Sequence, residues 1–105
     1  MSQKIIVLFN LKGNVSAEDY EKWARSVDMP SARSLKSIDG FNVFRCTGLL
    51  MSEDTPPYQY IEIIDVNDME QFGADVSSEK MQEVAGQFGE IADAPLFVMT
   101  EKLEA

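Results

Sequence analysis

The order in which apolar periodicities follow one another constrains this 105-residue chain more than any single residue does. Residues 4–11, KIIVLFNL, form an almost unbroken apolar and β-branched run, which reads as a strand buried on both faces. Lys12-Gly13-Asn14 turns the chain. Ser16 is a helix N-cap, with Glu18 and Asp19 in the first turn, where the helix dipole favours acids. Tyr20, Trp23, Ala24 and Val27 then recur at i, i+3, i+4 and i+7, one apolar helical face, and Pro30 opposes its continuation. Residues 28–40, DMPSARSLKSIDG, read as a connection that can include a short helical turn. Residues 41–50 are a second strand, with Gly40 before it and Gly48 inside it as a bulge signal. Residues 51–57, MSEDTPP, are the polar tip of a hairpin, and residues 58–66, YQYIEIIDV, its returning strand. Asn67 caps a short helix with Glu70 three residues on, and Met69, Phe72 and Val76 form its apolar side. Ser77 or Ser78 opens the last helix, in which Met81, Val84, Ala85, Phe88, Ile91 and Ala92 keep helical spacing. Gly86 and Gly89 inside it point to a close neighbour or a kink, because each costs about 1 kcal/mol against alanine. Asp93-Ala94-Pro95 ends the helix, and residues 96–102, LFVMTEK, are the fourth strand. Strand, helix, strand, strand, helix, strand is a ferredoxin-like α+β order, βαββαβ, with a four-stranded antiparallel sheet in one domain over residues 1–105.

Composition removes most reaction chemistry. The chain has no histidine and one cysteine. Zinc sites, Ser-His and Cys-His nucleophiles and imidazole acid–base catalysis therefore lack their parts. No Gly-rich phosphate loop or nucleophile elbow is present, and Asp65, Asp68 and Glu70 match no cation-binding loop. No metal and no cofactor is expected. A net charge of −9 disfavours nucleic acid and anionic membrane as partners. Cys46, within FNVFRCTGLL, reads as a small buried hydrophobe. The apolar core of MSQKIIVLFNLKG is too short for a secretory segment, so the cytoplasm is the expected compartment.

The strands alternate poorly. Ile5, Val7, Phe9 and Leu11 share one parity in the first strand, and Ile6 and Leu8 the other. In the second strand Phe41 and Val43 oppose Phe44 and Cys46, and in the third Ile61 and Ile63 oppose Tyr58, Tyr60 and Ile64. Helices can cover one face of such a sheet. The simplest cover for the other is the sheet of a second copy, so a two-fold homodimer is expected.

The runs EDYEKWARSVDMP, FNVFRCTG, PPYQYIEIIDVNDMEQFGADV and APLFVMTE are similar to the RedY-like proteins, over essentially the whole chain. Tyr20, Trp23, Asp28, Pro30, Arg45, Tyr60, Glu62 and Phe72 are the ordered landmarks. The resemblance implies a dimeric α/β-barrel and a role in assembling prodiginine pigments or related pyrrole and indole products. Some relatives are described as cyclases of reactive indole intermediates. No catalytic residue set transfers by position. The wider barrel group includes cofactor-free monooxygenases and haem-degrading enzymes, and the usual haem-ligating histidine is missing here.

Glu62 is the sharpest candidate, a carboxylate in mid-strand among Ile61, Ile63 and Ile64. In an apolar pocket it would gain affinity for a proton and suit acid–base work or pairing with a cationic intermediate. The plainer reading is a salt bridge, with Arg45 as its partner. Tyr60 shares the parity of Glu62, and Tyr58 extends that stripe. Either a substrate hydrogen bond or ordinary core packing explains Tyr60. Arg45 and Asn10 could hold a carbonyl or oxyanion; an ion pair with Glu62 or Asp65 and a strand-end hydrogen bond are their structural alternatives. Asp28, at the end of the first helix where the dipole disfavours an acid, is a proton-transfer candidate or a turn residue. Trp23 offers a wall for a flat ring or simply packs in the core. With the resemblance, these residues imply a cofactor-independent condensation or cyclisation catalyst for a small aromatic N-heterocycle, beside other enzymes of a pigment pathway. A carrier of a pigment precursor and a cofactor-free oxygenase remain as alternatives.

Overall fold

The structure, a computed structural model, describes residues 3–104. Its elements run β1 (Gln3–Leu11), α1 (Ala17–Trp23), a π-helical turn (Ala24–Asp28), α2 (Met29–Arg33), β2 (Ile38–Arg45), β3 (Tyr60–Val66), α3 (Met69–Asp75), α4 (Glu79–Ile91) and β4 (Ala92–Met99). The four strands form one antiparallel sheet in the order β2-β3-β1-β4, the ferredoxin-like arrangement expected from the element order.

Several boundaries move. β2 covers residues 38–45 rather than 41–50, so Gly48 lies in the following loop and the strand's irregularity falls between Ile38 and Gly40. A β-carbon on Gly40 would come within 2.7 Å of Asp65 Oδ2, the end of a flexible side chain that would have to turn aside. β3 begins at Tyr60, leaving Tyr58 in the loop. β4 takes in Ala92, Asp93, Ala94 and Pro95, which were read as the helix end, and reaches only Met99. Its register against β1 shifts between Leu8 and Asn10, with Ala94 at φ 46°. A bulge absorbs the proline that helical spacing had placed outside the sheet. Asp68, not Asn67, caps α3: its carboxylate accepts the Glu70 and Gln71 amides. Asn67 instead ties Lys36 and Asp39 to the start of the helix. Ser78 caps α4, as expected for one of the two serines. A β-carbon on Gly86 or Gly89 would meet nothing within 4 Å, so neither glycine serves a close approach. Gly86→Ala is therefore expected to stabilise the protein by about 0.5–1 kcal/mol in urea unfolding; a neutral or destabilised variant would contradict the open surroundings of that position.

The helix that Pro30 was expected to stop runs on to Arg33 through the π turn. The Met29 N–H reaches back five residues to the Ala24 carbonyl. Pro30 lies in the first turn of α2, where a missing N–H is well tolerated. The wider turn also resets the helix phase. A regular helix advances 40° for every four residues and drifts off a straight line; here Tyr20, Ala24, Asp28 and Ala32, each four apart, are all buried. Val27, expected on that face, is only half-buried.

The helices cover one face of the sheet, over Ile5, Val7, Phe9, Phe41, Tyr60, Ile64 and Val66. The opposite face carries no helix. Cross-strand register lines up Phe44, Ile61, Leu8 and Leu96 in one row and Asn42, Ile63, Ile6 and Val98 in the next. Phe44, Leu96 and Val98 are exposed. At the end of that face Lys4 pairs with Asp65.

Candidate functional site

Three polar groups meet beneath the helices. Glu62 occupies the middle of β3 on the covered face, in register with Val7 and Val43, and is 4% exposed. Asp28, on the π turn, is 7% exposed, and Tyr20, two helical turns earlier, is fully buried. The Tyr20 ring packs edge-on against Phe9 and Tyr60, with centroids 5.4 and 4.7 Å away. Its hydroxyl and Glu62 Oε2 are buried without a hydrogen-bond partner.

Burial pushes the Glu62 carboxyl well above the ordinary carboxylate range, and the neighbouring Asp28 charge raises it further. Burial also raises Asp28, partly offset by its hydrogen bond to Glu62. Burial, then the charges of Glu62 and Asp28, pushes the Tyr20 phenol upward. Two adjacent buried carboxyls cannot both ionise cheaply, so the pair shares a proton at neutral pH. It is a site that can both give and take a proton without histidine.

In front of this pair lies a cleft of about 350 Å³, walled by Tyr20, Ala24, Met29, Val43, Phe44 and Tyr60, with Glu21, Arg25 and Arg45 among its lining residues. Glu21 accepts two hydrogen bonds from Arg45, at 2.7 Å from Nε and 2.6 Å from Nη2, and one from the Tyr60 hydroxyl at 2.7 Å. These bonds, Arg45 first, hold the Glu21 carboxyl at about 2. Burial and then the bond to Glu21 push the Tyr60 phenol up to about 12. Glu62 and Asp28 do not line the cleft; Tyr20 belongs to both regions.

The candidates from the sequence therefore divide. Glu62 and Asp28 come together, although Asp28 sits inside a continuous helix and not at its C-terminus. Tyr60 shares the covered face with Glu62, but its hydroxyl is committed to Glu21. Arg45 pairs with Glu21 and with neither Glu62 nor Asp65. Asn10 fastens the loop before β3, donating to the Pro57 carbonyl and accepting the Gln59 amide. Trp23 stacks on Phe88 and donates its indole N–H to Gln87, away from the cleft. Tyr58 lies off the Tyr60–Glu62 stripe, in a separate apolar groove of about 450 Å³ shared with Leu8, Phe44, Cys46, Leu49 and Ile61. Cys46 is half-buried in that groove rather than in the core. Tyr20 and Glu21, which sequence reasoning assigned to packing or passed over, are the residues that connect the site. Among the described residues no three His, Cys, Asp or Glu side chains converge to hold a metal ion, and no helix is long and apolar enough to cross a membrane.

Comparison with known proteins gives this geometry a family. No curated protein matches the chain in sequence. Among solved structures, HapK from Hahella chejuensis is 27% identical, with a TM-score of 0.76 over 100% of this chain and 95% of its own. A hydroxynitrile lyase from Passiflora edulis has a TM-score of 0.81 at 10% identity, over 99% of this chain and 95% of its own. A dimeric ferredoxin-like protein of unknown function from Thermobifida fusca has a TM-score of 0.72 at 14% identity, over 95% of this chain and 90% of its own. The last two likenesses speak for the fold alone. Residues 3–103 match the family described as REDY-like protein HapK, and the chain belongs to that family.

Proposed function

We propose that this protein is a small cofactor-independent catalyst of prodiginine-type pigment biosynthesis, acting in the cytoplasm on a pyrrole or indole intermediate. The observation that carries the reading is the buried cluster of Glu62, Asp28 and Tyr20, in which two carboxyls adjoin and the phenol faces Glu62. Two buried carboxyls side by side are costly to keep in a core, and a neighbouring pair with raised proton affinity is a candidate acid–base site.

A condensation between an aromatic aldehyde and a pyrrole suits the pair. The protonated carboxyl delivers a proton to the aldehyde oxygen as the new carbon–carbon bond forms. The ionised carboxyl takes the proton released from the pyrrole ring carbon and passes it to the new hydroxyl, which departs as water, while loss of the pyrrole N–H proton restores the first carboxyl. Tyr20 links the pair to the cleft and relays the proton. The aromatic walls hold the rings, and exclusion of water strengthens each charge interaction. In this reading the protein works as a homodimer joined through its open sheet face.

The test follows absorbance and product mass for a bipyrrole aldehyde with a monopyrrole, against a no-protein control. Multiple turnovers support catalysis. One observation favours a second reading: Glu62 and Asp28 stand behind the cleft wall and not on it. A spectral shift that saturates at one ligand per subunit or per dimer, with no acceleration, would make the protein a carrier of the precursor.

A further inference from the structure

The mouth of the cleft holds two guanidinium groups for one carboxylate. Glu21 Oε1 lies 2.6 Å from Arg45 Nη2 and 3.3 Å from Arg25 Nη2, and Oε2 receives Arg45 Nε and the Tyr60 hydroxyl. Both oxygens are thus doubly occupied. Among the described residues Glu21 is the only acid in salt-bridge contact with either arginine. A guanidinium has five N–H donors, so most of those on Arg25 and several on Arg45 remain free. One positive charge is left uncompensated beside aromatic walls, in a chain whose net charge is −9.

A surplus cation at the rim of an apolar cleft is arranged for an anion. We propose that this cleft binds aromatic molecules carrying a carboxylate or a comparably acidic oxygen. The anionic end bridges Arg25 and Arg45, and the ring lies among Tyr20, Val43 and Tyr60. This assignment rests on the catalytic reading above for the place of the cleft, and it adds the class of ligand that the cleft selects. It also fixes orientation: with the acid held at the mouth, the opposite end of the ring faces Tyr20 and the carboxyl pair behind it.

Isothermal titration with indole-2-carboxylate and its isosteric indole-2-carboxamide tests the proposal. The carboxylate should bind about tenfold tighter at low salt. In Arg25→Gln, a change at an exposed side chain that leaves the Glu21–Arg45 pair in place, the preference should shrink to threefold or less. Equal affinity for acid and amide, an undiminished preference in Arg25→Gln, or no binding of either at millimolar concentration would overturn it. Turnover of the pyrrole substrates without preference for the acid would sink this inference and keep the catalytic reading. Acid-selective capture without Glu62-dependent turnover would do the opposite.

Discussion

Glu62→Gln should lower turnover of the bipyrrole aldehyde at least about 100-fold, the scale of a lost acid–base group, and make the folded protein more stable. The two effects share one cause. Burial and Asp28 raise the Glu62 carboxyl above its unfolded value, so the folded state binds more protons than the unfolded state through the intervening pH range. The stability associated with that group is fully present below the unfolded carboxylate value, near pH 4, and is lost as pH rises through the raised folded value. Glutamine cannot ionise, and its amide can donate to an ionised Asp28. The variant should match the parent near pH 4 and exceed it by about 1–2 kcal/mol at pH 8, read from thermal or urea unfolding. Unchanged turnover would remove Glu62 from the mechanism. A stability gap that fails to widen with pH would mean that the pair does not share a proton.

Leu8→Glu should leave the chain folded and abolish its self-association. Leu8 lies on β1, one of the two inner strands, between Ile61 on one side and Leu96 on the other, on the face that no helix covers. Its side chain is not part of the buried core. The fold of one copy therefore tolerates a glutamate there. In a two-fold dimer the change acts in both copies and places two uncompensated charges in a desolvated interface. Sedimentation should give twice the 11.8 kDa chain mass for the parent at micromolar concentration and the single mass for the variant. A parent that sediments as a single chain would remove the dimer, and a variant that stays double would move the interface elsewhere.

The element order, the antiparallel sheet class it implies and the two-sided apolar character of β1 and β3 were legible because strand parity and helical spacing are local. The edges of β2 and β4 were not. Pro95 reads as a breaker in isolation, and only the bulge opposite Leu8–Asn10 shows that the sheet accommodates it. The same holds for Pro30: proline argued for an end, and the π turn made it a beginning. That turn also hid part of the site. Helical spacing of 3.6 selects Val27 for the buried face, and the structure buries Asp28 there. Glu62 could be found from the sequence because a charge in the middle of an isoleucine run is conspicuous on a single strand. Asp28 stood out separately, as an acid near a proline-marked helix end, but its meeting with Glu62 and the part of Tyr20 did not, since both reach Glu62 from another element across a helix phase that no local pattern encodes. Arg45 was expected to pair across the sheet; Glu21, which lies 24 residues earlier on α1, takes it instead.

The uncovered sheet face is close to neutral while the chain as a whole carries −9. Its two central rows hold no ionisable side chain; on one side of them Lys4 and Asp65 cancel, and on the other the nearest charge is the single Asp93, in register with Asn10. Two copies approaching through that face feel little repulsion at contact and a great deal at a distance. Added electrolyte shortens the reach of that repulsion, to about 8 Å at physiological ionic strength, without touching the apolar contact itself. Ionic strength should therefore tighten the association of copies while loosening the grip of the two arginines on an acid, so a salt series separates the protein's two faces by sign.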